Sequence, residues 1–395
     1  MKKLIHLFVT LLFGVVSAQA SAAPGLITPP KEGPVSREAG NRERPPPKID
    51  AKGWMVADFH SDQVLAEYRA DERIDPASLT KLMTAYVVFK ELRAGKLKLS
   101  DPIKIGKTAW GMPGSRMFVR AGSTVSAEDL IKGLLIPSGN DAAVALAEHL
   151  AGSEAAFVAR MNDEARALSL VNTRFANSTG LPAPGSHSSA RDLTRLSGFL
   201  IRDFPEYYYW NAAKEFNYGG ITQYNRNALL WRDGGVDGVK TGHTRSAGYC
   251  IVASATRDRM RLIATIMGAT SEQARTEASQ ALLDFGFRHF ETRLLYRASV
   301  PVTEVRVWVG ATDTLPVGVG RDLYLTLPRG AHAKLEANVT VKDAHAPVRA
   351  GQALGTLSLS LDKKTFADYP LVALREVESG NILQRAVDGV RLWFK

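Results

Sequence analysis

Apolar positions follow a helical spacing in the larger, N-terminal part of the chain and alternate in strand-like runs near its C-terminal end. The helical patterns cover residues 76–95, 126–135, 141–150, 154–168 and 276–285. Two apolar runs, GYCIVASAT and RLIATIMG, are joined by the turn-like RDRM and predict an antiparallel hairpin. The segment WMVADFHSDQVLAEYRAD predicts two further strands with a turn at Ser61 and Asp62. These elements predict a mixed α+β domain over residues 51–291.

The pattern changes near residue 292, where short alternating runs replace the helical ones. The runs EVRVWVG, DLYLTLP, LEANVTV and ALGTLSLSL are separated by turn residues. Strands of this length without intervening helices are typical of a small all-β domain. We therefore place a second domain at residues 292–380.

The last fifteen residues, NILQRAVDGVRLWFK at 381–395, form an amphipathic pattern. On a helical projection one arc holds Ile382, Leu383, Ala386, Val387, Val390, Trp393 and Phe394, and the opposite side holds Gln384, Arg385, Asp388, Arg391 and Lys395. Such a helix is too short to cross a bilayer of ~30 Å and would lie in the membrane interface. The alternative is that it packs on its own β domain.

The N-terminus has the features of an export signal. Lys2 and Lys3 precede an apolar run at residues 4–16, and SAQAS supplies the small residues of a cleavage site. We predict a signal peptide at residues 1–20 and a Pro-rich disordered leader at 21–50, so that the protein is exported. An uncleaved anchor is the alternative. Cys250 is the only cysteine, which excludes an intramolecular disulfide and an N-terminal lipoprotein site.

Charge and composition narrow the classes of partner. Lys and Arg number 50 against 40 Asp and Glu, a formal charge of +10 that favours an anionic partner such as a phospholipid surface or an anionic cell-wall polymer. No dense basic cluster interleaved with aromatic residues is present, so we predict no nucleic-acid binding. The histidines are scattered and HExxH is absent, which predicts no metal site and no cofactor. A G-x-S-x-G elbow is also missing.

Three short motifs carry the candidate chemistry. Ser78 and Lys81 open the apolar segment DPASLTKLMTAYVVF and share one helical face, although alone they could be a solvent-facing helix start. SGN follows at residues 138–140 and KTG at 240–242, and each of these is weak by itself. In this order the three motifs match the signature of penicillin-binding proteins and class A β-lactamases.

Longer stretches strengthen that match, namely DPASLTKLMTAYV, SGNDAAVALAEH, KTGHTRSAGYCIVASATRDRMRLIATIMG and DFGFRHFET. Over residues 54–395 the chain resembles the low-molecular-mass penicillin-binding proteins that act as D-alanyl-D-alanine carboxypeptidases. The resemblance implies a DD-peptidase/β-lactamase-like catalytic domain (an antiparallel sheet with helices) at 51–291, a β-sandwich-like domain at 292–380 and a membrane-anchoring helix at 381–395. It also implies attachment to the outer face of the cytoplasmic membrane, peptidoglycan stem peptides as substrate and β-lactams as covalent inhibitors.

Transferred residue by residue, the resemblance implies a role for each motif position. Ser78 is the nucleophile, and Lys81 is its base provided that burial, the helix dipole and Lys240 lower its pKa. Ser138 would bridge the two lysines by hydrogen bonds and relay the proton, and Asn140 would hold the substrate amide, its alternative role being a helix cap.

The remaining positions concern the substrate carboxylate and backbone. Lys240 and Thr241 would bind the terminal carboxylate, and Gly242 would let the peptide lie against the strand. The backbone N–H groups of Ser78 and His243 would form the oxyanion hole. Arg275 would support this strand and the carboxylate site.

Three functions remain open from the sequence. The main hypothesis is a carboxypeptidase that removes the terminal D-Ala of peptidoglycan pentapeptides through an acyl-enzyme. A DD-endopeptidase or a β-lactamase is the second hypothesis, although class A β-lactamases carry SDN where this chain has Gly139. The third is a non-catalytic penicillin-binding protein that organises the wall, against which the intact motifs argue.

Overall fold

A computed structural model describes residues 45–393 of the chain. The predicted signal peptide and residues 21–44 of the predicted leader lie outside the described residues. In the N-terminal part the strands are β1 (Gly53–Asp58), β2 (Val64–Tyr68), β3 (Pro102–Lys104), β4 (Thr124–Ser126), β5 (Glu215–Tyr218), β6 (Ile221–Tyr224), β7 (Val236–Thr244), β8 (Gly248–Arg257) and β9 (Met260–Ala269). The helices are α1 (Lys81–Arg93), α2 (Lys107–Trp110), α3 (Ala127–Leu135), α4 (Asn140–Ala151), α5 (Glu154–Ala167), α6 (Ala190–Asp203), α7 (Pro205–Tyr208), α8 (Leu229–Arg232) and α9 (Glu272–His289).

The central sheet of this part has the order β2-β1-β9-β8-β7 and is antiparallel throughout. Successive residues of its strands face opposite sides, so Ile251 joins one apolar cluster and Val252 the other. The cluster around Val252 includes the buried apolar residues of α1, α4 and α6, and the cluster around Ile251 includes those of α9. The antiparallel sheet between helices confirms the predicted α+β class.

Helix α1 is nearly surrounded by the core, as its continuous apolar sequence predicts. Ten of its thirteen residues are buried. The sequence predicted a helix from residue 76, but the first turn, Ala77–Thr80, is a 3-10 turn and the α-helix begins at Lys81. Asp75 Oδ1 accepts a hydrogen bond from the Ala77 amide at 2.9 Å and so fixes the entry to this turn. Ser78 therefore lies on a turn immediately before the helix that carries Lys81.

The other predicted helices are present with small changes in their bounds. Ser126 caps α3 by accepting a hydrogen bond from the Asp129 amide, and Gly152 ends α4 with a φ of 75°. Helix α9 is longer than predicted because Ser271 caps it one turn earlier. Helix α6 was not predicted from the sequence.

The C-terminal part contains strands and one terminal helix. The strands are β10 (Phe290–Tyr296), β11 (Thr303–Trp308), β12 (Thr314–Val319), β13 (Leu323–Pro328), β14 (Leu335–Val341), β15 (Ala344–His345), β16 (Ala353–Leu361) and β17 (Lys364–Ala373). Six of them form a sheet of order β14-β16-β17-β12-β11-β15, and β10 pairs with β13. The predicted β domain is therefore present. It contacts the N-terminal part through polar groups, including a hydrogen bond of 2.7 Å from Thr292 Oγ1 to Asp58 Oδ2.

Helix α10 (Ile382–Trp393) follows the β domain and contacts it through a polar residue. Asp388 is only 5% exposed and accepts a hydrogen bond of 2.8 Å from the Val309 amide. Arg306 lies 3.5 Å from the same carboxylate. The apolar side chains of α10 are exposed instead, namely Ile382, Leu383, Val387, Val390 and Trp393. The helix thus docks by its polar side and leaves its apolar side uncovered by the described residues.

No single helix within residues 45–393 is both long enough and apolar enough to span a membrane; α4 and α5, bent by 87° at their junction, would meet the criterion only together, by length and composition.

Candidate active site

The turn that carries Ser78 is held by two close glycine contacts. Ala77, just before the serine, has a φ of 47°, and a Cβ on Gly180 would come within 1.8 Å of its carbonyl oxygen. On the other side, a Cβ on Gly242 of β7 would lie 3.0 Å from the Ser78 amide nitrogen. The turn is therefore packed between the loop at residue 180 and strand β7, so the position of the serine is fixed by backbone contacts.

Lys81 is fully buried and its three donor positions are used. Its Nζ donates to Ser78 Oγ at 3.1 Å, to Asn140 Oδ1 at 2.7 Å and to the Thr179 carbonyl at 2.6 Å. None of these partners is a carboxylate, so no opposite charge in hydrogen-bond contact stabilises the ammonium form. Burial, and secondly the positive charge of Arg226, lower the pKa of Lys81 to about 7. A neutral amine, which would accept the hydrogen bond of the Ser78 hydroxyl and donate the other two, is therefore accessible near neutral pH.

Asn140 connects the SGN motif to Lys81 and to the loop at residues 113–119. Gly139 occupies the cap position of α4, so Asn140 lies inside the helix and its side chain is not the cap. Its Oδ1 accepts from Lys81, and its Nδ2 donates to the Pro113 carbonyl at 2.7 Å. The neighbouring Asp141 binds backbone amides of the same loop. Hydrogen bonds therefore fix both the oxygen and the nitrogen of the Asn140 side-chain amide.

Ser138 is buried at the site but does not form the predicted bridge. Its φ is 67°, and its Oγ has no hydrogen-bond partner among the described residues. The expected hydrogen bonds to Lys81 and Lys240 are absent: Lys81 Nζ contacts Ser78, Asn140 and Thr179, and Lys240 Nζ donates to the Thr241 carbonyl at 3.0 Å. The serine hydroxyl is left as a free polar group in the site.

Lys240 adds a second buried cation on β7. It is 3% exposed, and its pKa is lowered well below the ordinary lysine value by burial, then by Lys81, Arg226 and Arg275. Repulsion between Lys81 and Lys240 adds to burial in lowering the pKa of Lys240. An anionic group that enters the site would oppose this shift.

Arg275 lies behind β7, as the sequence predicted. It is buried, and its guanidinium lies 3.4 Å from the Gly242 carbonyl and 3.4 Å from the Arg226 carbonyl, with Glu272 as an ion-pair partner. Its guanidinium also lies over Tyr249, whose ring stacks on His243 at 4.1 Å between centroids. The residues from Lys240 to His243 are thus supported from the side away from Ser78.

The structure brings four of the predicted residues together in a row: Asn140 contacts Lys81, Lys81 contacts Ser78, and Ser78 lies against Gly242. It also adds three groups that the sequence analysis missed: the Thr179 carbonyl, the Arg226 charge and Asp141. Only Asp141 had a visible signal, its position directly after SGN. Within residues 45–393 no group of three or more His, Cys, Asp or Glu side chains could hold a metal ion.

Comparison with known proteins agrees with this arrangement. Residues 40–271 match the family described as D-alanyl-D-alanine carboxypeptidase, peptidase S11, and residues 290–379 match the C-terminal domain of penicillin-binding protein 5. The chain is 44% identical over 357 residues to the D-alanyl-D-alanine carboxypeptidase DacA of Escherichia coli K12, covering 88% of this chain and 89% of that protein. It is 34% identical over 345 residues to DacF of Bacillus subtilis, covering 85% and 87%.

Two solved structures are similar over both parts of the chain. Penicillin binding protein 5 from Haemophilus influenzae has a TM-score of 0.81 and 40% identity, covering 85% of this chain and 99% of that one. Penicillin binding protein 6B from Escherichia coli has a TM-score of 0.71 and 37% identity, covering 83% and 96%. These matches confirm the fold and the enzyme class predicted from the motifs. The chain therefore belongs to the D-alanyl-D-alanine carboxypeptidase family, and it is a serine-type peptidase.

Proposed function

We propose that this protein removes the terminal D-Ala of peptidoglycan stem pentapeptides through an acyl-enzyme on Ser78. The observation that carries the proposal is the contact of 3.1 Å between Ser78 Oγ and the Nζ of a lysine that is fully buried. Its pKa of about 7 lets that lysine accept a proton under ordinary conditions. The family name of its relatives indicates the same reaction.

In the acylation step, Ser78 Oγ attacks the carbonyl carbon of the penultimate D-Ala, and Lys81 takes the hydroxyl proton. A new ester bond forms, the peptide C–N bond breaks, and the leaving amine of the terminal D-Ala takes up the proton that Lys81 had received. Water then attacks the ester while Lys81 accepts its proton, the ester C–O bond to Ser78 breaks, and the proton passes from Lys81 to Ser78 Oγ. Because the base must be neutral, the same burial that lowers the pKa of Lys81 is what enables it to act.

The unpartnered hydroxyl of Ser138 supports a role in proton transfer. A buried hydroxyl without a partner is unfavourable by about 1–3 kcal/mol unless something binds it. A leaving amine placed between Ser138 and Lys81 would supply that partner and receive the proton. The serine would then act on the substrate, although it makes no bond to either lysine in the free protein.

The cationic side of the site suits the terminal carboxylate of the substrate. Lys240, with Thr241 beside it, faces a region to which Arg226 and Arg275 add positive charge. A bound carboxylate would raise the pKa of Lys240 and turn a repulsive arrangement into an ion pair. Gly242 leaves room for the peptide backbone next to Ser78, and the N–H groups of Ser78 and His243 would receive the oxyanion.

The same geometry accounts for β-lactam binding. Penicillin-binding protein D2 of Listeria monocytogenes has been solved with ampicillin bound. It is 30% identical to this chain, and the match covers 62% of this chain and 100% of that one. We propose that β-lactams acylate Ser78 of this chain as analogues of the acyl-D-Ala-D-Ala substrate.

Helix α10 supports attachment to a membrane surface after export. Its uncovered apolar side chains include Trp393 at 89% exposure and Ile382 at 85%. Burying such a face in the interface of an anionic bilayer stabilises the bound state. We place the protein at the outer face of the cytoplasmic membrane, with its export depending on the predicted signal peptide.

The decisive experiment is incubation with a peptide that ends in Lys-D-Ala-D-Ala, followed by an assay for free D-Ala. The wild-type protein should release one D-Ala per peptide, and Ser78→Ala should release none. Absence of release by a folded wild-type protein, with this peptide and with natural muropeptides, would contradict the proposal.

A further inference from the structure

Phe118 has an unfavourable backbone conformation and an outward-facing ring. Its φ is 70°, a region that a bulky side chain rarely occupies and that glycine or asparagine adopts more easily. The ring is 46% exposed, whereas its neighbours Met117 and Val119 are buried. The structure therefore presents an aromatic ring to solvent at a position where glycine would fit the backbone better. Strain of this kind is concentrated at functional sites.

The loop that holds Phe118 is attached directly to the active site. Its residues 113–119 lie against the SGN motif, because the Asn140 side chain donates to the Pro113 carbonyl and the Asn140 amide donates to the Ser115 carbonyl. Asp141 Oδ2 accepts from the Phe118 amide at 2.9 Å. Asn140 in turn contacts the Lys81 amine. Phe118 is thus connected to Lys81 through the adjacent residues Asp141 and Asn140.

Two further contacts keep this loop in place from the outside. The Arg116 guanidinium lies 5.3 Å from the centre of the Phe118 ring. The Arg116 carbonyl accepts a hydrogen bond of 2.7 Å from Gln223 of β6. The hairpin β5–β6 therefore supports the loop at Arg116, and Asp141 fixes it at the Phe118 amide. A ring on a loop held at both of these points is preorganised to contact a ligand.

We propose that Phe118 is a specificity-determining residue that contacts the acyl side group of the donor. This group is the side chain of the residue before D-Ala-D-Ala, or the amide substituent of a β-lactam. The inference rests on the proposed function, in which Lys240 binds the carboxylate end and Asn140 binds the donor amide. The part of the donor beyond that amide then leaves the cleft next to the loop at 113–119. An apolar group there would bury its surface against the ring.

The test compares two β-lactams that differ only in this group. Benzylpenicillin carries a phenylacetyl substituent, and 6-aminopenicillanic acid has a free amine in its place. Phe118→Ala should lower the second-order rate of acylation by benzylpenicillin about fivefold, the loss expected for one aromatic contact. The rate with 6-aminopenicillanic acid should stay unchanged within a factor of about two. Equal losses with both compounds, or no loss with either, would overturn the inference.

Three controls separate ligand contact from folding. Tyr68→Ala removes an equally exposed ring, at 47%, from the far edge of the sheet, and should change neither rate. Phe118→Tyr keeps the ring and should retain the preference for benzylpenicillin. Phe118→Gly relieves the positive φ, so its Tm should equal or exceed that of Phe118→Ala while the same preference is lost. A Tm for Phe118→Gly far below that of Phe118→Ala would show a structural role of the loop instead.

The wild-type rate with 6-aminopenicillanic acid reports the chemistry of Ser78 independently of the ring. If this rate is normal and Phe118→Ala shows no ligand-dependent loss, only the inference about Phe118 is contradicted. If wild-type protein is not acylated at all, the proposed function fails and this inference fails with it.

Discussion

Helix α1 buries its apolar residues and α10 exposes them, yet each helix buries one charged residue. The contacts of these two residues show why one can be reactive and the other structural. Helix α1 is enclosed by apolar core and holds one lysine there, whereas α10 exposes its apolar side and buries an aspartate. Lys81 contacts only uncharged oxygen atoms. Asp388 instead contacts a backbone amide, Arg306 and Arg391. A buried lysine with no opposite charge in hydrogen-bond contact loses its proton more easily, whereas the partners of Asp388 hold its helix against the β domain.

The strongest test of this comparison is removal of the neutral base on α1. Lys81→Arg keeps a positive charge, but a guanidinium stays protonated in proteins and cannot accept the Ser78 proton. We expect acylation by benzylpenicillin to fall about a thousandfold, the usual loss on removing a general base. Stopped-flow or mass-spectrometric acylation rates measure this. Lys90→Arg, the same change at an exposed position of α1, should have no effect, and a wild-type rate in Lys81→Arg would place the base elsewhere.

Deletion of residues 381–395 tests the other helix. If the exposed apolar face of α10 binds lipid, the truncated protein should move from the membrane fraction to the soluble exported fraction and remain active. Fractionation followed by the D-Ala assay measures both properties. Retention of the truncated protein on the membrane after signal cleavage, or a full-length protein that is soluble at low salt, would contradict the membrane role of α10.

Substitutions of Lys240 in the active site should lower activity less than Lys81→Arg does, and by an amount that depends on whether the positive charge is kept. Lys240→Ala removes the cation proposed to bind the substrate carboxylate, and we expect kcat/KM for the peptide to fall about a hundredfold. Lys240→Arg keeps a charge and should lose less. Steady-state kinetics with Lys-D-Ala-D-Ala peptides compare the two variants. Equal losses in both would show that charge at this position is not what binds the substrate.

The smallest effect is expected at Asp388. Asp388→Ala leaves the buried Val309 amide without its acceptor, which weakens the docking of α10 by about 1–3 kcal/mol. Hydrogen exchange should therefore accelerate in α10 and at residues 306–309, while the catalytic domain and its activity stay unchanged. Asp362→Ala, at an exposed carboxylate of the same domain, is the matched control. Unchanged exchange in α10 would show that Asp388 does not hold the helix.

The sequence predicted best what depends on residue type and spacing. The S-x-x-K pair lies three residues apart on one face, and this spacing alone requires Ser78 and Lys81 to be neighbours. The order of the three motifs predicted the family, and the matches confirm it. The alternating runs after residue 292 predicted the β domain.

Contacts that depend on tertiary structure could not be predicted in this way. The Thr179 carbonyl and Arg226 come from loops without a recognisable pattern, and Phe118 is distinguished only by its backbone angle. The predicted bridge through Ser138 is not formed in the structure, in which Lys81 Nζ contacts Ser78, Asn140 and Thr179. The sequence pattern places Asp388 on the polar side of α10. Nothing in that pattern indicated that the polar side would contact the β domain.

The central claim is that Lys81 is neutral near physiological pH. The most direct measurement is a pH titration of the lysine side chains by NMR with ¹³C-labelled lysine, in which the Lys81 signal is assigned by its absence in Lys81→Arg. Because burial and Arg226 both lower this pKa, the signal should titrate with a midpoint of about 7 in the free enzyme. The rate of acylation should rise with pH through the same midpoint. In Arg226→Gln, which removes an exposed cation, both midpoints should move to higher pH. A Lys81 midpoint near the ordinary lysine value of 10.5 would contradict the account.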